Sequence, residues 1–111
     1  MTGIGIDIVE IDRFTVALKE KKQKFLLNTF SKIERSYCLG YKDPAPHFAG
    51  TFAAKEAALK ASDPASRLLT EFEIRRTKTG KPEVWLDRKK SNLLVSISHT
   101  QTTACAIVLR L

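Results

Sequence analysis

No apolar run in this chain reaches the roughly 18 residues that a bilayer-spanning helix needs. The N-terminus also lacks a basic region followed by an apolar stretch, so neither a membrane span nor a secretory signal is expected. Cysteine is scarce. Cys38 and Cys105 stand far apart without CxxC spacing, which argues against a disulfide framework or a cysteine zinc site and reads as two reduced thiols of a cytoplasmic protein. Aromatic residues are few, and the segments that read as strands lack the surface aromatics on which nucleic-acid bases stack. Acidic residues are outnumbered, 12 against 19 Lys and Arg, leaving a net charge of +7. That balance favours an anionic partner: nucleic acid, a membrane surface, an acidic protein or a phosphate-rich small molecule. Charge alone does not choose among them. The length of 111 residues suits one domain with one core, spanning 1–111.

What is abundant is helix-forming sequence, above all Phe52-Ala-Ala-Lys-Glu-Ala-Ala-Leu-Lys-Ala61. Phe48, Phe52, Glu56 and Leu59 recur at i, i+4, i+8 and i+11, one stripe of a helix, so Glu56 takes a place on the face that should enter the core. A carboxylate there is costly unless it is paired, hydrogen-bonded or bound to a metal. Lys60 follows one turn later in the favourable order, so an ion pair at the stripe's edge, worth about 0.3–0.5 kcal/mol, competes with a cation site as the explanation. Residues 3–11 alternate with period two and predict a strand. Ile4, Ile6 and Ile8 form one face, and Gly3, Gly5, Asp7 and Val9 the other. Aspartate is a poor strand former, and a glycine beside it leaves the space a ligand or metal ion would take; a bulge or an exposed sheet face would also explain it.

Asp12 is placed to cap a helix from Arg13 to about Leu27, with Phe14, Ala17, Leu18 and Phe25 on its apolar side. Arg13, Lys19, Lys21, Lys22 and Lys24 make the rest of it basic, either a solvated face or a dock for an acidic partner. Ser31-Lys-Ile-Glu34 has capping-box spacing for a short helix stopping at Gly40. A proline-containing loop, Asp43–Pro46, precedes the central helix, from about His47 to Ala61, which Ser62-Asp-Pro64 breaks. Strands follow around Phe72 and Ile74, from Val84 to Leu86 after a turn at Thr79–Pro82, from Leu93 to Ser98 and from Thr103 to Leu109. One strand, about three helices and then antiparallel strands make an α+β fold with helices on one face of the sheet. His99 sits at a strand end, where an imidazole is either structural or turned to a ligand.

Gly3-Ile-Gly-Ile-Asp7-Ile-Val-Glu-Ile-Asp-Arg13, Phe52-Ala-Ala-Lys-Glu56-Ala-Ala-Leu-Lys60-Ala, Gly80-Lys-Pro82 and Ser96-Ile-Ser-His99-Thr, in this order, resemble the holo-acyl-carrier-protein synthases, the small single-domain class of 4′-phosphopantetheinyl transferases. The resemblance spans essentially the whole chain. It implies a cytoplasmic transferase of fatty-acid and lipid metabolism. Such an enzyme moves 4′-phosphopantetheine from coenzyme A to a serine of an apo-acyl carrier protein, working as a homotrimer with active sites between subunits. It further implies that Asp7 and Glu56 hold Mg²⁺ and that Lys60 stabilises charge on the transferring phosphate. Glu56, directly or through water, takes the serine proton. Lys55, Lys60, Gly80, Lys81, Pro82 and His99 would contact coenzyme A, and Arg13, Lys21 and Lys24 would dock the acidic carrier.

Thr51 stands where the family usually carries arginine, and Ser62–Leu69 where it carries a glycine-rich segment. Both places help hold coenzyme A phosphates in the family, so weaker or altered binding is expected, with Arg67 as a candidate substitute cation. A basic nucleic-acid-binding module and a degenerate homologue without activity are the rival readings. The first leaves Asp7 and Glu56 unexplained, and the intact Asp7, Glu56 and Lys60 argue against the second.

Overall fold

The computed structural model describes residues 2–111. Its elements run β1 (Gly3–Glu10), α1 (Asp12–Lys19), α2 (Gln23–Thr29), α3 (Lys32–Leu39), α4 (Ala45–Ala61), β2 (Phe72–Arg76), β3 (Pro82–Leu86), β4 (Lys89–Lys90), β5 (Leu93–His99) and β6 (Thr103–Arg110). Two antiparallel three-stranded sheets result, ordered β1-β6-β5 and β2-β3-β4. The architecture is the α+β arrangement expected, with the strands divided between two sheets and a short extra strand at β4.

The long basic helix expected from Arg13 is two helices. Lys21 takes a left-handed backbone conformation (φ 52°). Around it the Lys22 amide donates to Ala17 O and the Lys21 amide to Leu18 O, the paired bonds of a Schellman ending. Asp12 lies in the first turn of α1 and makes no capping hydrogen bond, which corrects the cap assigned to it. Ser31 and Glu34 do close a capping box: Glu34 N donates to Ser31 Oγ (3.2 Å) and Ser31 N to Glu34 Oε1 (2.9 Å). α4 begins earlier than expected, because Pro44 and Pro46 fall where a helix lacks amide partners anyway.

α4 is the core of the molecule. It is buried nearly all round, as a helix lined by alanine on most sides can be. Phe48 and Phe52 pack on Phe30 and Phe14, with ring centroids 4.9 and 5.5 Å apart in the Phe30–Phe48 and Phe14–Phe52 pairs. The other side of α4 lies on β1 so closely that a Cβ at Gly5 would overlap the Ala57 carbonyl oxygen and stand 2.8 Å from Ala61 N. One at Gly3 would overlap Ala61 O. The space those glycines leave beside Asp7 therefore belongs to the helix backbone, not to a ligand. The opposite face of β1 is bare: Ile4, Ile6 and Ile8 are 65, 62 and 71 % exposed, beside exposed Ile107 and Leu109 of β6.

Burial of most of α4 also decides the fate of Lys55. Lys55 and Glu34 are each 1 % exposed, and Lys55 Nζ lies 2.8 Å from Glu34 Oε1. Glu34 Oε2 accepts from Ile74 N (2.8 Å), so this one carboxylate joins α3, α4 and β2. Lys55, expected at the cofactor, is instead sealed in the core, where its charge is needed to compensate Glu34. Trp85 of β3 is half-buried and carries the Arg75 guanidinium 3.9 Å above its ring.

Candidate active site

β1 and α4 bring Asp7, Glu56 and Lys60 into one open depression of about 540 Å³, with Glu10, Arg13 and Phe52 also on its walls. Lys60 Nζ donates to Ile6 O (2.9 Å) and to Asp7 Oδ1 (3.2 Å). The edge pairing read for Lys60 with Glu56 is thus made with Asp7 across the strand. Glu56 is half-buried, and its carboxyl is pushed above the usual range, first by burial and then by the negative charge of Asp7, against the pull of Lys60 and Arg13. Arg13 lies over the rings of Phe14, Phe25 and Phe52, 4.9 Å from the last, which holds its guanidinium at the rim of the depression.

This donor set suits a hard divalent cation. Two carboxylates face an opening large enough for water and phosphate oxygens, the mixed shell magnesium prefers. No group of three or more His, Cys, Asp or Glu forms a closed metal site among the described residues. The raised Glu56 pKa reflects burial first and the charge of Asp7 second, which Lys60 and Arg13 only partly offset.

Gly80, Pro82 and His99 are brought together in a second cavity, of about 300 Å³, with Tyr37, His47 and Arg76. Gly80 (φ 91°) turns the chain between β2 and β3, and His99 Nδ1 lies 3.0 Å from Thr100 O. Lys81 faces a different depression, with Glu83 and Lys90. The carboxylate depression borders β1 and this cavity borders β5, the two edges of one sheet. Lys21 and Lys24 are exposed on the α1–α2 turn and on α2.

Position 51 is interior: Thr51 is buried, with Oγ1 3.7 Å from Cys38 Sγ. Arg67 is engaged by Glu71 (3.0 Å) and Asp87 (2.8 Å), two carboxylates that neutralise it. It is poorly suited to replace a phosphate-binding arginine. His47, Tyr37 and Arg76 escaped the sequence reading. They come from three different elements, and no spacing along the chain relates them.

The family model of the 4′-phosphopantetheinyl transferase superfamily matches residues 3–108. A holo-[acyl-carrier-protein] synthase of Protochlamydia amoebophila is 43% identical over 115 residues, covering 94% of this chain and 93% of that protein. The synthase of Syntrophotalea carbinolica is 40% identical over 104 residues, covering 91% and 81%. Among solved structures, the Helicobacter pylori holo-[acyl-carrier-protein] synthase in complex with coenzyme A matches with a TM-score of 0.79 at 33% identity, over 95% of this chain and 96% of that one. The Bacillus anthracis synthase in complex with CoA (3′,5′-ADP) gives 0.79 at 32%, over 96% and 93%. The matched span takes in β1 with Asp7, α4 with Glu56 and Lys60, and both sheets, and on that basis the chain belongs to the holo-acyl-carrier-protein synthases of the 4′-phosphopantetheinyl transferase superfamily.

Proposed function

We propose that this chain, as one domain over 1–111, transfers 4′-phosphopantetheine from coenzyme A to a serine of an apo-acyl carrier protein and releases 3′,5′-ADP. One observation carries the reading: Asp7, Glu56, Lys60 and Arg13 converge on a single open depression. The serine oxygen forms a bond to the β-phosphorus, and the bond from that phosphorus to the bridging oxygen breaks. The electron pair leaves with the 5′-phosphate of 3′,5′-ADP. Glu56, whose pKa is raised by burial and by Asp7, accepts the serine proton directly or through water. Lys60 places positive charge beside the phosphoryl oxygens as charge shifts to the leaving group. Asp7 and Glu56 are the residues that would hold Mg²⁺, which when bound supplies further positive charge to the pyrophosphate.

Arg13 at the rim and exposed Lys21 and Lys24 offer an acidic carrier a positive approach. Gly80, Pro82 and His99 share a cavity suited to the nucleotide end of the cofactor. The exposed isoleucines of β1, continuous with Ile107 and Leu109, support assembly into a homotrimer, in which the two cavities at opposite sheet edges can meet across subunits. Among the described residues no helix is long and apolar enough to cross a membrane, and we place the enzyme in the cytoplasm, in fatty-acid synthesis. A nucleic-acid partner fits poorly, because the basic surface borders two carboxylates that repel a polyanion.

The test is intact-mass spectrometry of an apo-acyl carrier protein incubated with the chain, coenzyme A and Mg²⁺, alongside tubes with EDTA or the Glu56→Ala variant. A phosphopantetheine mass gained only in the complete tube supports the reading. No gain with several carriers overturns it.

A further inference from the structure

The cavity beside β5 holds an unmet demand. Arg76 Nη1 is buried there and has no hydrogen-bond partner among the described residues. A buried guanidinium N–H left without an acceptor is unfavourable, and native folds rarely keep one without a use. The group is also held in place. Its guanidinium lies 4.3 Å from the centre of the Tyr37 ring, and the Tyr37 hydroxyl is 3.0 Å from that of Tyr41. Tyr41 in turn stacks on His47, ring centroids 3.5 Å apart and 13° from parallel. His47 and His99 bring their rings to 6.2 Å.

Arg76, His47 and His99 thus line one cavity, and no carboxylate is among its lining residues. Asp43 is the carboxylate that acts on His47, and it accepts from Ala45 N (3.4 Å) at the start of α4. Burial lowers the His47 pKa most, and His99 and Arg76 lower it further, against the weaker opposing pull of Asp43. Such a cavity asks for a compact anion with several acceptor oxygens.

We propose that Arg76, with His47 beside it, binds the 3′-phosphate of coenzyme A and is the residue by which this chain distinguishes the cofactor from its 3′-dephospho form. The assignment rests on the function proposed above. Coenzyme A carries two anionic groups. Its pyrophosphate suits the Asp7–Glu56–Lys60 depression, which leaves the phosphomonoester for the one guanidinium in the second cavity. Whether the nucleotide reaches the cavity of the same copy or of its neighbour, the acceptor chemistry is the same. Arg76 thereby supplies the cation that Thr51, buried against Cys38, does not, and that Arg67, held by Glu71 and Asp87, is poorly placed to give.

Calorimetric titration of the full chain with coenzyme A and with 3′-dephospho-coenzyme A, for the wild type and Arg76→Met, tests this. The wild type should bind coenzyme A about tenfold to a hundredfold more tightly than the dephospho form. Arg76→Met should remove that preference by weakening coenzyme A alone, and Arg76→Lys should restore part of it. Equal weakening of both ligands would assign Arg76 a packing role and overturn the proposal, as would a preference that survives the substitution. A wild type that binds both ligands equally well overturns only this assignment, whereas one that binds neither overturns the proposed function with it. Should Arg76→Met fail to fold, as its melting curve would reveal, Arg76→Lys and His47→Gln carry the comparison: each should cost coenzyme A several-fold and leave the dephospho form unchanged.

Discussion

Replacing Lys55 with Met, or Glu34 with Gln, removes one half of an ion pair whose side chains are 2 and 0 % exposed. At 2.8 Å the attraction is about 6 kcal/mol if an effective dielectric of about 20 applies. Desolvation of the two ions, several kcal/mol each, offsets most of it, so the pair adds little net stability. Breaking it is another matter: either single variant leaves a buried charge uncompensated and should lose about 3–5 kcal/mol. That is a large part of the 5–15 kcal/mol typical of a domain. The double variant carries no stranded charge. Its glutamine offers one acceptor oxygen where the carboxylate used one for Ser31 N and the other for Ile74 N, so about 1–3 kcal/mol should remain lost for an orphaned amide. The two single losses should therefore exceed the double loss by several kcal/mol. Urea unfolding at one fixed protein concentration measures all three, the concentration being held because the proposed self-association would add to apparent stability. Additivity to within about 0.5 kcal/mol would refute the reasoning. Coenzyme A affinity supplies a second check: folded Lys55→Met should bind it as the wild type does, since Lys55 faces Glu34 and not a cavity wall of the carboxylate depression.

Gly5→Ala should cost at least about 1–3 kcal/mol, read by thermal melting, because α4 must move to admit a methyl group, and transfer should fall further as Asp7 moves relative to Glu56. As pH falls, Glu56, held above the usual carboxylate range by burial and Asp7, takes its proton early, and that proton competes with a cation. Mg²⁺ affinity should decline on acidification before ordinary carboxylates titrate, and Glu56→Gln should remove that dependence; an unchanged pH profile in Glu56→Gln would exclude Glu56 as a ligand. Ile6→Lys, on the bare face of β1, should convert the proposed homotrimer to single copies by light scattering while each copy stays folded; an unchanged mass would move the interface elsewhere. Burial pushes the Cys38 thiol up to about 11, so iodoacetamide should leave it unmodified in the native protein at mildly alkaline pH and react once urea unfolds the chain.

The fold was legible wherever local chemistry decides structure. Alternation marked β1, helix formers marked α4, and Ser31 and Glu34 announced the start of α3. Asp7 and Glu56 were conspicuous because each carboxylate breaks an apolar pattern, and the structure brings both to one depression. What sequence did not disclose depends on packing between elements. The stop at Lys21 lacks the glycine that usually marks a Schellman ending, so nothing local distinguished it from continuing helix. Lys55 and Lys60 look alike in a helix-forming run, yet Glu34 draws one into the core and Asp7 holds the other at the surface. The spacing of Gly3 and Gly5 suggested room for a ligand, because a missing side chain reads the same whether water, an ion or a helix backbone fills the gap.

That gap has a mechanical consequence. Where β1 meets α4 at Gly3 and Gly5, main chain rests against main chain with no side chain between to change rotamer. The strand that carries Asp7 and the helix that carries Glu56 are thus set against a hard stop, and their separation is insulated from the breathing of the aromatic core on the helix's other flank. Drift in core packing over generations can change how stable the protein is while leaving the spacing of its two carboxylates almost untouched.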